Sequence, residues 1–146
     1  MWQRFLWICV IVLLATSCST LGENETANAQ SPGVHFPQLI NTQSVYLEAR
    51  LTGELTLANG CLRVQDVDGG TLLIWDSRFS LVDEEGVISI INTSTGEVLA
   101  SVGDFVEVGG GYFDDPTPLG LKEPLPENCP GSYFLVGETI KKIDRP

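Results

Sequence analysis

The chain has 146 residues, with 19 acidic side chains against 8 basic ones, a single histidine and a formal net charge of −11. That length suits one domain plus a tail. An acidic surface repels phosphate backbones, which sets nucleic acid aside as a partner; it also disfavours docking on anionic lipid, and its ordinary consequence is solubility.

The amino terminus reads MWQRFLWICVIVLLATSC. Arg4 is its only charged side chain, and Phe5 to Ala15 form an uncharged apolar run of eleven residues. A helix needs about 20 apolar residues to cross the hydrocarbon core, so this run has the length of a signal-peptide core instead. It ends in Leu14-Ala15-Thr16-Ser17-Cys18. That order resembles the lipobox of bacterial lipoproteins, with Leu14 one place further from the cysteine than in the commonest arrangement. The resemblance implies a signal peptide over residues 1–17, a diacylglyceryl thioether on Cys18 and a fatty-acylated (palmitate-type) amine. The mature chain then sits in the cell envelope, on the outer membrane or the outer face of the plasma membrane. Ser19 rather than Asp follows the cysteine, which by the same resemblance favours the outer membrane in a host that has two. Each buried methylene contributes about 0.8 kcal/mol, so two or three acyl chains hold a protein at a membrane where one does so only marginally. A rival site, Ala27-Asn28-Ala29, has the A-x-A form of an ordinary secretory signal and would give a secreted or periplasmic chain. An uncleaved anchor is the third outcome.

Residues 18–37 are mostly small and polar, and read as a lipid-anchored flexible tether. At about 5–6 Å times the square root of length, it reaches roughly 25 Å, enough to lift a small domain clear of the headgroups. His35, the only histidine, falls in this tether.

A two-residue period begins in the domain proper, residues 38–146. In VYLEARLTGELTLA, residues 45–58, Val45, Leu47, Ala49, Leu51, Leu55 and Leu57 alternate with Tyr46, Glu48, Arg50, Thr52, Glu54 and Thr56. This is the pattern of a half-buried strand, interrupted at Gly53, where a bulge or tight bend fits. Asn59-Gly60 marks a type I′ hairpin. A two-residue loop pairs Ala58 with Cys61, Leu57 with Leu62 and Leu55 with Val64, bringing apolar residues together, and sets Thr56 against Arg63 on the other face. Asp68-Gly69-Gly70 is a second turn. TLLIW, residues 71–75, is apolar throughout, as in a strand covered on both faces, with Phe79 and Leu81 continuing it after a break. Asp83-Glu84-Glu85-Gly86 is an exposed turn, and strands follow at 87–91, 97–102 and 105–108. Glycines 109–111 read as a bend or strand end. Residues 112–131, with five prolines, form a long loop with room for one short helix, and 132–140 is the last strand.

Of four cysteines, Cys9 leaves with the signal and Cys18 takes the lipid. In an exported chain the remaining two, Cys61 and Cys129, most simply form one disulfide. It would close a loop of 69 residues, worth roughly 4 kcal/mol in the chain-entropy treatment, and would staple the long loop to the first hairpin.

Short strands separated by turns point to an all-β fold, a small barrel or sandwich of five to seven mostly antiparallel strands. The long first strand with its glycine, the hairpin and Gly103-Asp104-Phe105-Val106-Glu107-Val108-Gly109-Gly110 resemble the OB-fold, whose small envelope members carry a "GD-x-V-x-V-x-G" strand. This covers some 65 residues; it implies an OB-like barrel and says nothing of a ligand.

No catalytic residue, metal site or cofactor emerges. One histidine in the tether leaves no base beside a nucleophile. Asp66-Val67-Asp68-Gly69-Gly70 lacks the later acidic ligands of a calcium loop, and no lysine follows glycines 109–111 as a phosphate loop requires. The candidate binding surface is aromatic: Tyr46 on the polar side of its strand, and Tyr112 and Phe113 at the start of the long loop, where rings can stack on sugars or a partner's side chains. The leading expectation is a non-enzymatic envelope lipoprotein that is held to the membrane by its lipid and binds a protein or glycan partner, or supports a membrane assembly. A carboxylate- or cation-dependent hydrolase with its site in the barrel mouth is one alternative. A barrel that senses a small molecule is another. An enzyme requires a concave site holding two or more acids of raised pKa; a sensor requires a closed apolar cavity of several hundred Å³.

Overall fold

The computed structural model describes residues 33–41, 48–65 and 70–146. It is all-β. Eight strands run in chain order: β1 (Ala49–Ala58), β2 (Cys61–Gln65), β3 (Thr71–Ile74), β4 (Phe79–Glu84), β5 (Val87–Asn92), β6 (Val98–Ser101), β7 (Phe105–Phe113) and β8 (Tyr133–Lys142). Five of them close a barrel in the order β1-β2-β3-β8-β7; the other three form a separate sheet, β4-β5-β6. All barrel pairs are antiparallel except β3 with β8. A three-strand meander, a parallel closure and a fourth strand returning to the first make the OB-like connectivity, with β4–β6 inserted between β3 and β7.

The first hairpin folds as its sequence dictates. Asn59 and Gly60 both have positive φ, 54° and 79°, as a type I′ turn demands. Its ladder pairs Ala58 with Cys61, Leu57 with Leu62, Thr56 with Arg63 and Leu55 with Val64. Leu55, Leu62 and Val64 enter the main core, whereas Cys61 joins a second cluster. β1 serves two neighbours: residues 49–54 pair with β7, and 54–58 with β2. The handover falls beside Gly53, where a Cβ would run into the Gln65 carbonyl and stand 2.9 Å from a Val64 methyl. The glycine is needed for close approach rather than for a special φ.

Three expectations change in detail. Phe79 and Leu81 do not extend β3; they lie in β4, which turns back against β5. Glycines 109–111 do not end a strand. They continue β7 to Phe113, with a bulge between Val108 and Gly110. A Cβ on Gly110 would overlap the Leu135 carbonyl and stand 2.7 Å from a Phe134 ring carbon, so β7 and β8 can meet here only without side chains. The short helix allowed for the long loop is one 3₁₀ turn, Thr117–Leu119.

Two apolar clusters hold the molecule. The main one fills the barrel with Leu51, Leu55, Leu62, Val64, Leu73, Trp75, Val106, Val108, Phe134, Val136 and Ile140. Phe79, Leu81, Ile90 and Ala100 of the inserted sheet belong to it as well, so that sheet shares the barrel's core. Trp75 stacks on Phe36 at 4.9 Å and meets Phe79 edge-on at 5.7 Å. The second cluster contains Leu39, Cys61, Leu72, Ile74, Cys129 and Leu135. β3 explains the division: Leu73 faces the first cluster, Leu72 and Ile74 the second, and every residue of the strand is buried.

Candidate binding surface

What covers the outer side of β3 is the chain itself. The segment 33–41 runs beside β2 and β3, with isolated bridges from His35 to Cys61 and from Gln38 to Trp75. Val34 and Phe36 are buried in the main core and Leu39 in the second. Packing therefore reaches back to Val34, into residues that composition alone places in the tether; the alternation Val34-His35-Phe36 is its sequence signal, too short to stand out.

The loop 114–132 supplies the rest. Leu119, Leu121 and Leu125 pack against the second cluster, and the Cys61–Cys129 disulfide fastens the loop beside the first hairpin. Both cysteines are buried. The Asn128 amide donates to the Asn59 carbonyl at 2.9 Å, and Arg63 donates to the Pro130 carbonyl. In OB-folds the β2–β3 face carries ligands. Here that face is occupied by this chain's own loop and amino-terminal segment.

Where these two coverings part, a groove opens. They are bridged at Leu39 and Leu121, and the Lys122 amide donates to the Gln38 carbonyl at 2.8 Å. Beyond that point lies a cavity of about 220 Å³, lined by residues 35–38, His35 among them, on one side and by Lys122, Glu123, Pro124 and Pro126 on the other, with Leu81 completing it. Gln38 anchors the wall. Its NH₂ donates to the carbonyls of Phe79 and Asp76, at 2.8 and 3.3 Å, and its oxygen accepts from Lys122 Nζ at 2.6 Å. One buried amide thus ties together the amino-terminal segment, the β3–β4 bend and the long loop.

The aromatic residues singled out from the sequence separate. Tyr112 is about half exposed and meets Phe134 edge-on at 4.9 Å. Phe113, next in β7, turns the other way and packs on the second cluster. Tyr46 and the lipidation residue Cys18 lie outside the described residues. No sequence signal pointed to the groove, because its walls come from segments 84 residues apart whose contact depends on the whole barrel.

Among the described residues one carboxylate is deeply buried. Asp76 accepts from the Arg78 amide and Nε, each at 2.9 Å, and Arg78 also donates to the Gly137 carbonyl. The carboxyls with displaced pKa values all move down. Burial raises Asp104, but hydrogen bonds from Lys142 and the Ser101 amide, with the Lys142 charge, outweigh it. A hydrogen bond from Lys141 lowers Glu107, and hydrogen bonds from the Thr117 hydroxyl and amide lower Asp115. A general acid working near neutrality needs a shift in the opposite direction. No group of three His, Cys, Asp or Glu side chains is placed to hold a metal ion among the described residues, and none of these residues forms a helix long and apolar enough to cross a membrane.

No family model, curated protein or solved structure matches the chain. The site must be read from its own geometry.

Proposed function

We propose that this chain is a non-enzymatic lipoprotein of the bacterial envelope, anchored through Cys18, whose OB-like domain binds a protein or glycan partner or supports a membrane assembly. The observation that carries the reading is the sealed barrel face. The chain spends its own loop, its own amino-terminal segment and a disulfide on covering the surface where an OB barrel takes ligands, and the barrel interior is filled with side chains. Recognition then falls to the surfaces left over: the groove between the two coverings, the exposed flank at Tyr112 and the outer face of the inserted sheet, where Val87 and Val98 are exposed. A volume of about 220 Å³ suits one anchoring side chain or one sugar ring, well below the roughly 300–1,000 Å³ of pockets for drug-sized ligands.

The disulfide supports the address, because such bonds persist in oxidising compartments outside the cytosol. Downward-shifted carboxyls and the one buried, arginine-held acid among the described residues give no support to the hydrolase alternative. Chemical crosslinking in native membranes, followed by purification through the chain, tests the reading. One partner recovered in fixed stoichiometry is expected; a chain that stays free in its own membrane contradicts it.

A further inference from the structure

Resting on the partner-binding reading above, we infer that the outer face of the inserted sheet is the docking surface, and that its occupant is a protein surface with an apolar centre and basic residues at both ends. The inner face of β4–β6 is spent on the core: Phe79, Leu81, Ile90 and Ala100 are all buried. The register fixes what points the other way. Val82 pairs with Ser89, Glu84 with Val87, Ser89 with Ser101, and Ile91 with Val98. This leaves Val82, Val87, Ile91 and Val98 on one surface, with small serine hydroxyls between them. Val87 and Val98 are more than half exposed. Val87 and Ile91 lie four residues apart on β5, about 13 Å at the rise of a strand, so the apolar strip runs the length of the sheet.

Charge selects the occupant. From Phe79 to Leu121 the chain has no lysine, arginine or histidine. Glu84 and Glu85 stand at the Val87 end of the strip and Glu97 at the Val98 end, all exposed. Among the described residues these three make no ion pair, whereas acids of the barrel do: Glu107 with Arg50 and Lys141, Asp104 with Lys142, Glu54 with Arg145. An uncharged strip with unneutralised carboxylates at each end complements an apolar patch flanked by Lys or Arg. An anionic lipid surface would be repelled. A second copy laid strip to strip would bring the same unpaired carboxylates near one another.

The test uses the full-length chain in its own membranes, with a photo-crosslinking residue placed at Val98, at Glu123 in the groove, or at Thr139 on β8 as a control. The expected result is one discrete adduct from Val98 and none from Thr139. The crosslinked peptide should carry apolar residues flanked by Lys or Arg. Glu84→Lys with Glu97→Lys should cut the yield about tenfold, with far-UV circular dichroism unchanged. An adduct from Glu123 alone overturns the docking face and leaves the proposed function standing. Adducts from neither position overturn the docking face, and a chain that also stays free in the chemical crosslinking experiment above overturns the proposed function as well. A Val98 adduct to lipid or to another copy of this chain, or a yield indifferent to charge reversal, overturns the inference.

Discussion

Removing the Cys61–Cys129 bond, by reduction or by Cys61→Ala with Cys129→Ala, gives the sharpest stability prediction. The two residues are 68 apart in sequence, so the bond closes most of the domain into one loop. With n near 69, the chain-entropy relation gives roughly 4.4 kcal/mol at 25 °C. A domain of this size is stable by about 5–15 kcal/mol, so the loss takes roughly 30% or more of the total. Because the loop spans the barrel, the cost should appear in the global transition and not as local release of residues 114–132. At a urea m-value of about 1.5 kcal/mol/M, the midpoint should fall by about 3 M. Urea unfolding followed by far-UV circular dichroism, with and without reductant, reads this directly. Both sulfurs are buried, so the reduced sample must be refolded from denaturant under reducing conditions. A midpoint lowered by less than about 0.5 M would refute the reasoning, since it would mean that the loop is held by its apolar contacts alone.

Further substitutions probe other parts of the account. Gly110→Ala forces a methyl onto the Leu135 carbonyl and the Phe134 ring; overpacking of this kind costs about 1–3 kcal/mol, and thermal melting should show it. Ile90→Ala, at a fully buried position of β5, should cost about 2–5 kcal/mol, while Val98→Ser on the same sheet's exposed side should stay within about 0.5 kcal/mol. That contrast, measured in urea, checks which face of the inserted sheet belongs to the core. The folded-state pKa of Asp104 lies below its ordinary value of 3.8. Its contribution to stability is therefore complete above the unfolded-chain value and is lost as pH falls through the folded one. Asp104→Asn should flatten the dependence of melting temperature on pH below about pH 4, and an unchanged acid limb would count against the Lys142 pairing.

How much of this was legible depended on how local each cause is. The Asn59-Gly60 turn sets its own register, so the β1–β2 ladder could be counted from sequence and recurs pair for pair in the structure. The apolar run Leu72 to Trp75 marked a strand covered on both faces, and the second cluster is what covers its outer side. Glycines 109–111 misled because a glycine run ordinarily signals a break; here it answers to a carbonyl on β8, distant in sequence. Cys61 shows the same limit. Its partner could be assigned by elimination, and strand alternation alone turns it away from Leu62, but not the make-up of the cluster it enters, which the long loop and the amino-terminal segment help to build. The groove and the acidic-ended strip were invisible for that reason. Each joins residues whose proximity is set by barrel closure or by cross-strand register, while the aromatic pair Tyr112-Phe113, adjacent in sequence, ends on opposite sides of one strand.

The central claim is that an exported, lipid-held chain carries a disulfide-sealed barrel. Intact mass spectrometry of the protein extracted from native membranes, alkylated without reductant, tests it in one measurement. The account predicts a polypeptide that begins at Cys18, bears thioether-linked diacylglycerol, and takes up no alkyl group on Cys61 or Cys129. A mass corresponding to the whole chain from Met1, free of lipid and alkylated at both of those cysteines, would contradict it.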